Sequence, residues 1–337
     1  MYFKTLIWFV IFTSCTHSKT STMNAQTPPS TPSEKFYTPD YLKKGDTVVI
    51  VAPAGILKGR QQAIEEAQNL LKSWGLVPIL GQHVFAQNHH FSGTDAQRQS
   101  DMQRALDHPN AKAIWCARGG YGSVRILDNL NFDAFKKQPK WLIGYSDITA
   151  LHNRVQLLGF ESIHGMMAVN MEDDRKAISS SIESLKSSLF GTLNAYQIEA
   201  QNSNRKGSAT GVLVGGNLTL LASQLGSASQ LDTRGKILFI EDIGEYKYHI
   251  DRMLQSLKRA GYFEQCVGVL VGDMTKIKPN STAWGSSVEQ LILEVLKPYD
   301  IPVAFGMPAG HELDNRALIF GRKITLTVTA NNTQITF

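Results

Sequence analysis

Between Asp46 and Lys297 the chain alternates short apolar runs with segments of helical periodicity, and this alternation restricts the fold more than any other feature of the sequence. Asp46–Ala52, Val77–Leu80, Ala113–Cys116 and Trp141–Ile143 are runs of strand type. A helical stretch follows each of them: Gln61–Trp74, with Ile64, Ala67, Leu70, Leu71 and Trp74 near helical spacing, then Thr94–Leu106, Ser123–Leu130 and Asp147–Leu158. Strands alternating with helices predict an α/β fold with an open, mostly parallel sheet covered on both faces. Residues 171–208 are rich in Ser, Asn and charge and read as a linker with a weak helix at Ile178–Leu189. From Gly211 the pattern resumes, with helices at Leu218–Leu225, Tyr248–Ala260 and Ser287–Lys297 and strands at Ile237–Ile240 and Val267–Val271. Lys323–Thr329 and Thr333–Phe337 alternate apolar and polar residues around a turn, the pattern of a β-hairpin.

The 337 residues, 42% apolar and 19% charged, suit two globular domains and exclude a disordered chain, a disulfide-dense miniature scaffold and a polytopic membrane protein. A net charge of +5 without a basic block argues against a nucleic-acid partner. At the N-terminus, Lys4 precedes the apolar run Leu6–Phe12, which is shorter than the roughly 18 to 20 residues of a membrane span. Thr13 and Ser14 then lead into Cys15. Residues 1–14 therefore read as a secretory signal peptide, and the cysteine after the small residues resembles a bacterial lipobox, with Cys15 as the lipid-bearing residue. The Ser-, Thr- and Pro-rich stretch over 15–38 reads as a stalk tethering residues 39–337 to a membrane. Two domains are expected, over 39–170 and 209–337. Cys116 and Cys266 lie in apolar runs and read as buried thiols, with a disulfide between them left open.

Several chemistries leave no trace. There is no HExxH, CxxC or EF-hand loop, so neither a metal nor a cofactor is expected. A dinucleotide fingerprint starting at Gly120 would put Arg125 where its third glycine belongs, and there is no GxSxG. Three positions stand out instead. Ser146 follows the strand of Trp141-Leu-Ile-Gly-Tyr-Ser-Asp at the start of a helix, where it is either an N-cap or a hydroxyl presented at the sheet's ligand edge, beside unpaired N–H groups suited to an oxyanion. Glu241 ends the strand Lys236–Ile240, and Asp242 and Glu245 beside it suit helix capping. His311 lies in the loop Phe305-Gly-Met-Pro-Ala-Gly-His. A serine needs a base, and the base an orienting carboxylate. Spacing does not show whether the three meet.

Phe91-Ser-Gly-Thr-Asp95, Ala117-Arg-Gly-Gly-Tyr-Gly-Ser123, Ile143-Gly-Tyr-Ser-Asp-Ile-Thr149, Ile163-His-Gly165, Gly215-Gly-Asn217, Glu241-Asp242 and Gly310-His311 together resemble the LD-carboxypeptidases, a serine peptidase family that includes the microcin C self-immunity proteins. The resemblance spans about residues 44–325. It implies a flavodoxin-like N-terminal domain, a smaller swivelling α/β C-terminal domain and a homodimer. It implies Ser146 as nucleophile with Glu241 and His311 as partners, and an oxyanion hole from the backbone N–H groups of Asp147 and Gly120. The substrate it implies is a murein tetrapeptide, losing its terminal D-alanine, with Arg118, Tyr121, His164, Asn217 and Arg316 as candidates for binding it. Ser123 and Cys116 are weaker nucleophile candidates, and His89, His90 and His249 read as surface histidines. An amidase acting on peptidyl nucleotides is the alternative, disfavoured by Glu312-Leu-Asp-Asn-Arg-Ala-Leu318, which looks more like the murein enzymes; a non-catalytic murein-binding lipoprotein is another. The expected location is the periplasmic side of a bacterial membrane. Thr16, where an aspartate would signal inner-membrane retention in some bacteria, favours the outer one.

Overall fold

The computed structural model describes residues 1–2 and 36–337; the signal peptide, Cys15 and nearly all of the stalk lie outside the described residues. Residues 36–337 lie in one compact unit. Among the described residues the strands make two sheets. The first contains β1 (Thr47–Val51), β2 (Val77–Leu80), β3 (Ala111–Cys116), β4 (Trp141–Gly144) and β5 (Ser162–His164), all parallel in the order β2-β1-β3-β4-β5. This is the doubly wound flavodoxin-like order, in which ligands collect outside the carboxyl ends of the strands where the order reverses, here between β1 and β3. The central strands β3 and β4 are buried nearly throughout, as a sheet covered on both faces requires, whereas Val77 and Ile79 on the edge strand β2 remain exposed.

Connecting these strands are α1 (Gln61–Ser73), α2 (Asp95–Asp107), α3 (Ser123–Leu127), α4 (Asp133–Lys137) and α5 (Thr149–Leu157), the last preceded by a 3-10 turn at Ser146–Ile148. Each expected helix is present within a few residues; α4 and β5 are additional. Thr94 caps α2, accepting from the Gln97 N–H while the Gln97 side chain accepts from the Thr94 N–H.

The segment 171–208 is built into both halves. α6 (Ser179–Leu189) buries Leu185 and Leu189 in the first core, and β6 (Ala195–Glu199) is the edge strand of the second sheet. That sheet continues with β7 (Gly207–Asn217), β8 (Lys236–Ile243), β9 (Gly268–Thr275) and β10 (Val303–Ala304), mutually parallel, while β12 (Lys323–Val328) and β13 (Asn332–Thr336) form the expected hairpin. Between them β11 (Leu318–Phe320) leaves the second half and pairs antiparallel with β5. The helices α7 (Leu218–Ser223), α8 (Lys247–Arg259) and α9 (Val288–Val295) cover one face of the second sheet. Side chains alternate along β8, Leu238 and Ile240 joining the helix-covered core and Ile237 and Phe239 the opposite one.

Candidate active site

The alternation of β8 separates its two terminal carboxylates. Asp242 follows Leu238 and Ile240 onto the helix-covered face, where it accepts from the Thr219 N–H and hydroxyl near the start of α7 and from the Asn217 side chain. Glu241 follows Ile237 and Phe239 onto the other face. It is fully buried, and its Oε2 lies 2.7 Å from His311 Nδ1. Burial depresses the His311 pKa, but the Glu241 hydrogen bond and the charges of Glu241, Asp242 and Asp273 outweigh it and raise the pKa above the ordinary value. With Nδ1 donating to Glu241, Nε2 is left as the basic nitrogen. Gly310 sets this contact: at φ 142°, a Cβ there would sit 3.1 Å from Glu241 Oε2 and 3.0 Å from the Asp273 Cβ.

Ser146 lies at the carboxyl end of β4 with φ 61°, a left-handed conformation uncommon outside glycine. Tyr145 holds the helix-capping position and Ser146 makes no capping hydrogen bond, so the N-cap reading of Ser146 does not hold. Ser146, His311 and Gly120 line one cleft of about 540 Å³, together with Arg118 and Lys276. The Tyr145 ring, next in sequence to Ser146, packs edge-on against the His311 ring with centroids 5.0 Å apart. No hydrogen bond joins Ser146 to His311 among the described residues; such contacts often tighten only when substrate binds.

The loop after β3 brings backbone amides to Ser146. A Cβ on Gly119 would lie 3.2 Å from the Ser146 Cβ and 3.4 Å from the Asp147 nitrogen, so a larger residue there would push the two segments apart by a few tenths of an ångström. The N–H groups of Gly120 and Asp147 have no protein acceptor among the described residues. Asp147 fixes the loop itself, its buried carboxylate accepting the Ser123 N–H at 2.8 Å. Ser123 is thereby buried at the start of α3, away from the cleft lining. Arg98, which sequence reading did not single out, completes the support. Its buried guanidinium donates to the Pro53 carbonyl after β1 at 2.6 Å and to the Gly122 carbonyl at 2.9 Å, and it also pairs with Asp95. Phe91 lies under it, with the guanidinium 4.8 Å from the ring centroid.

The remaining candidates divide. Arg118 lines the cleft, donates to the Ile56 carbonyl and has no carboxylate partner among the described residues. Arg316 is held by Asp314 at 2.8 Å outside the cleft lining. Asn217 is buried as the cap of α7, accepting the Leu220 N–H. Tyr121 is exposed against Phe91, outside the cleft lining. His164 is fully buried against Phe239, Phe320 and Tyr145. Cys116 and Cys266 are buried free thiols, and His249 is paired with Glu245. No group of three or more metal-ligating side chains occurs among the described residues. Asp273, raised to about 6 mainly by burial, and Lys276, at the end of β9, were not anticipated, although Asp273 follows an apolar strand just as Glu241 does.

Comparison with known proteins gives the family. The LD-carboxypeptidase N-terminal domain matches residues 48–165, and the LD-carboxypeptidase C-terminal domain matches residues 210–326. The chain belongs to the LD-carboxypeptidase family. As a member of this peptidase family, it is 35% identical over 303 residues to a Bacillus subtilis protein described as a probable murein peptide carboxypeptidase, covering 89% of this chain and 94% of the relative. It is 30% identical over 291 residues to the murein tetrapeptide carboxypeptidase of Pseudomonas aeruginosa, covering 83% of this chain and 92% of the relative. Among solved structures, muramoyltetrapeptide carboxypeptidase from Oxalobacter formigenes superposes with a TM-score of 0.76 at 26% identity, covering 86% of this chain and 97% of that one. The microcin C7 self-immunity protein MccF shares the fold, with a TM-score of 0.80 at 22% identity over 90% of this chain and 98% of its own. The α/β reading, with a mostly parallel flavodoxin-like sheet in the N-terminal half, therefore stands; the second sheet is mixed, its β7–β10 parallel and its β12, β13 and β6 antiparallel.

Proposed function

We propose that this LD-carboxypeptidase family member is a serine carboxypeptidase that releases the terminal D-alanine of murein tetrapeptides by hydrolysing an L,D-peptide bond. The observation that carries the reading is the buried Glu241–His311 pair, opening with Ser146 and Gly120 onto one cleft. In the proposed cycle the Ser146 hydroxyl attacks the carbonyl carbon of the third residue while His311 Nε2 takes its proton. The N–H groups of Asp147 and Gly120 donate to the oxyanion. His311 returns the proton to the departing D-alanine amine, water cleaves the acyl-enzyme with His311 again as base, and Ser146 is regenerated. Glu241 holds the tautomer and stabilises the imidazolium. Arg118, without a carboxylate partner, is suited to the substrate's terminal carboxylate.

The test is free D-alanine, followed by mass spectrometry during incubation with murein tetrapeptide. Ser146→Ala is expected to lower release by roughly a thousandfold or more, and Glu241→Gln by roughly a hundredfold or more. Undiminished release by Ser146→Ala would sink the mechanism; binding without release by the wild type would leave a murein-binding protein. Under the same reading the enzyme is exported as a homodimer with its lipid on Cys15, facing the periplasm from the outer membrane. Cys15→Ser should then lose both the diacylglycerol mass and membrane association, and sedimentation should give a dimer.

A further inference from the structure

Only three non-glycine residues among those described have positive φ: His89, Ser146 and Lys276. Two of them, Ser146 and Lys276, line the cleft. Lys276, at φ 50°, immediately follows β9 and is exposed, and its ammonium has no ion-pair or hydrogen-bond partner among the described residues. A lysine kept in this conformation costs backbone energy that a glycine would avoid. Glu312, next to His311, lines the same cleft, and its carboxylate is likewise without a partner. The two belong to joined segments: Asp273 near the end of β9 accepts the Glu312 N–H at 3.2 Å, and its own N–H donates to the Ala309 carbonyl at 3.0 Å. This wall of the cleft therefore offers an unpaired cation and an unpaired anion. Arg118, in the loop that carries Gly119 and Gly120, supplies a second cation, one that donates to the Ile56 carbonyl but has no carboxylate partner among the described residues.

We infer that Lys276 and Glu312 form a specificity subsite for the third residue of the peptide, selecting a side chain that ends in both a carboxylate and an ammonium, as diaminopimelate does, over one ending in an ammonium alone, as lysine does. The inference rests on the tetrapeptide reading above. A diaminopimelate head places its carboxylate on Lys276 and its ammonium on Glu312, two charge-assisted contacts. A lysine side chain satisfies Glu312 alone and brings a second ammonium toward Lys276, so discrimination comes from repulsion as well as attraction. Arg118 remains for the terminal carboxylate, which both substrates share.

The experiment compares kcat/KM of the full-length protein on two tetrapeptides that differ only in having diaminopimelate or lysine at the third position. The wild type is expected to prefer the diaminopimelate peptide by about tenfold or more, the scale of one hydrogen bond to a charged group. Lys276→Gln should collapse that ratio, and Lys276→Arg should keep most of it. Lys276→Gly removes the charge and relieves the left-handed backbone, so it tests the charge in a chain whose folding is not penalised; it too should collapse the ratio. Equal cleavage of both peptides by the wild type would overturn the inference, as would a ratio unchanged in Lys276→Gln and Lys276→Gly. A parallel fall for both substrates would also overturn it, since Lys276 would then serve a group they share. Cleavage of neither peptide by the wild type would instead refute the tetrapeptide reading itself.

Discussion

At Ser146 the left-handed backbone and the chemistry compete directly. A non-glycine residue in this region costs about 1–2 kcal/mol relative to its right-handed conformation. Ser146→Gly should therefore be about 1 kcal/mol more stable than Ser146→Ala in urea unfolding, with both lacking activity. The pH dependence is set at His311. Its pKa is raised in the folded state, and the neutral ring is the active form. Activity is thus fully present above the raised pKa and falls as pH drops through it, so the acid limb of kcat/KM should have its midpoint above 6.5. Glu241→Gln removes the charge that raises the pKa and leaves the burial that lowers it, so the residual activity should show an acid limb shifted to lower pH. The sign for stability is opposite. Protonated His311 stabilises the fold below the unfolded-state pKa, and that contribution fades as pH rises through the folded one. Ser146 and His311 could be singled out as candidates from a strand end and a glycine-rich loop, but position alone left Ser146 open to an N-cap reading, and only the family resemblance ranked it as the nucleophile. Lys276 could not be singled out, because nothing in the sequence distinguishes a lysine in a left-handed turn from any surface lysine.

Among the elements, α6, the helix expected at Ile178–Leu189, is buried more deeply than its polar sequence indicates. Ser181, Ser184 and Ser188 recur at helical spacing, as on a solvated face, yet all three are buried. Ser181 accepts the Asn315 N–H at 2.8 Å and Ser184 the Ala317 N–H at 2.9 Å, so this face satisfies the backbone of the loop that follows His311. A polar stripe whose partners lie more than a hundred residues away cannot be told from a linker by composition. The glycine pair of β7 has a similar explanation. A Cβ on Gly215 would overlap the Phe239 carbonyl oxygen, and one on Gly216 would come 2.5 Å from Thr149 Oγ1, so β7 lies against both β8 and the first turn of α5. Gly215→Ala should destabilise the protein by about 3 kcal/mol or more, read as a lower urea midpoint at unchanged slope, because the obstacle is backbone and no rotamer avoids it.

At the scale of the whole molecule, the alternation of strands and helices made the α/β architecture legible, while the route of the chain between the sheets was not. β11 has three residues, too few to carry a pattern, yet it joins the halves: Ile319 packs in the first core, and Leu318 and Phe320 pack in the core of the second sheet. Residues matched by two family domains should therefore unfold together. Calorimetry is expected to give one transition for residues 36–337, with calorimetric and van't Hoff enthalpies that agree; two resolved transitions would refute the coupling. The same path has a mechanical consequence. Ser146 is mounted on one sheet and Glu241 on the other, and His311 lies on the stretch of chain running from β10 in the second sheet to β11 in the first. The base is carried on the linkage between two plates, so a change in the angle between them is converted directly into a change in the distance across which the proton must pass. A molecule wedged between the plates at any point would act as an inhibitor without touching Ser146, Glu241 or His311.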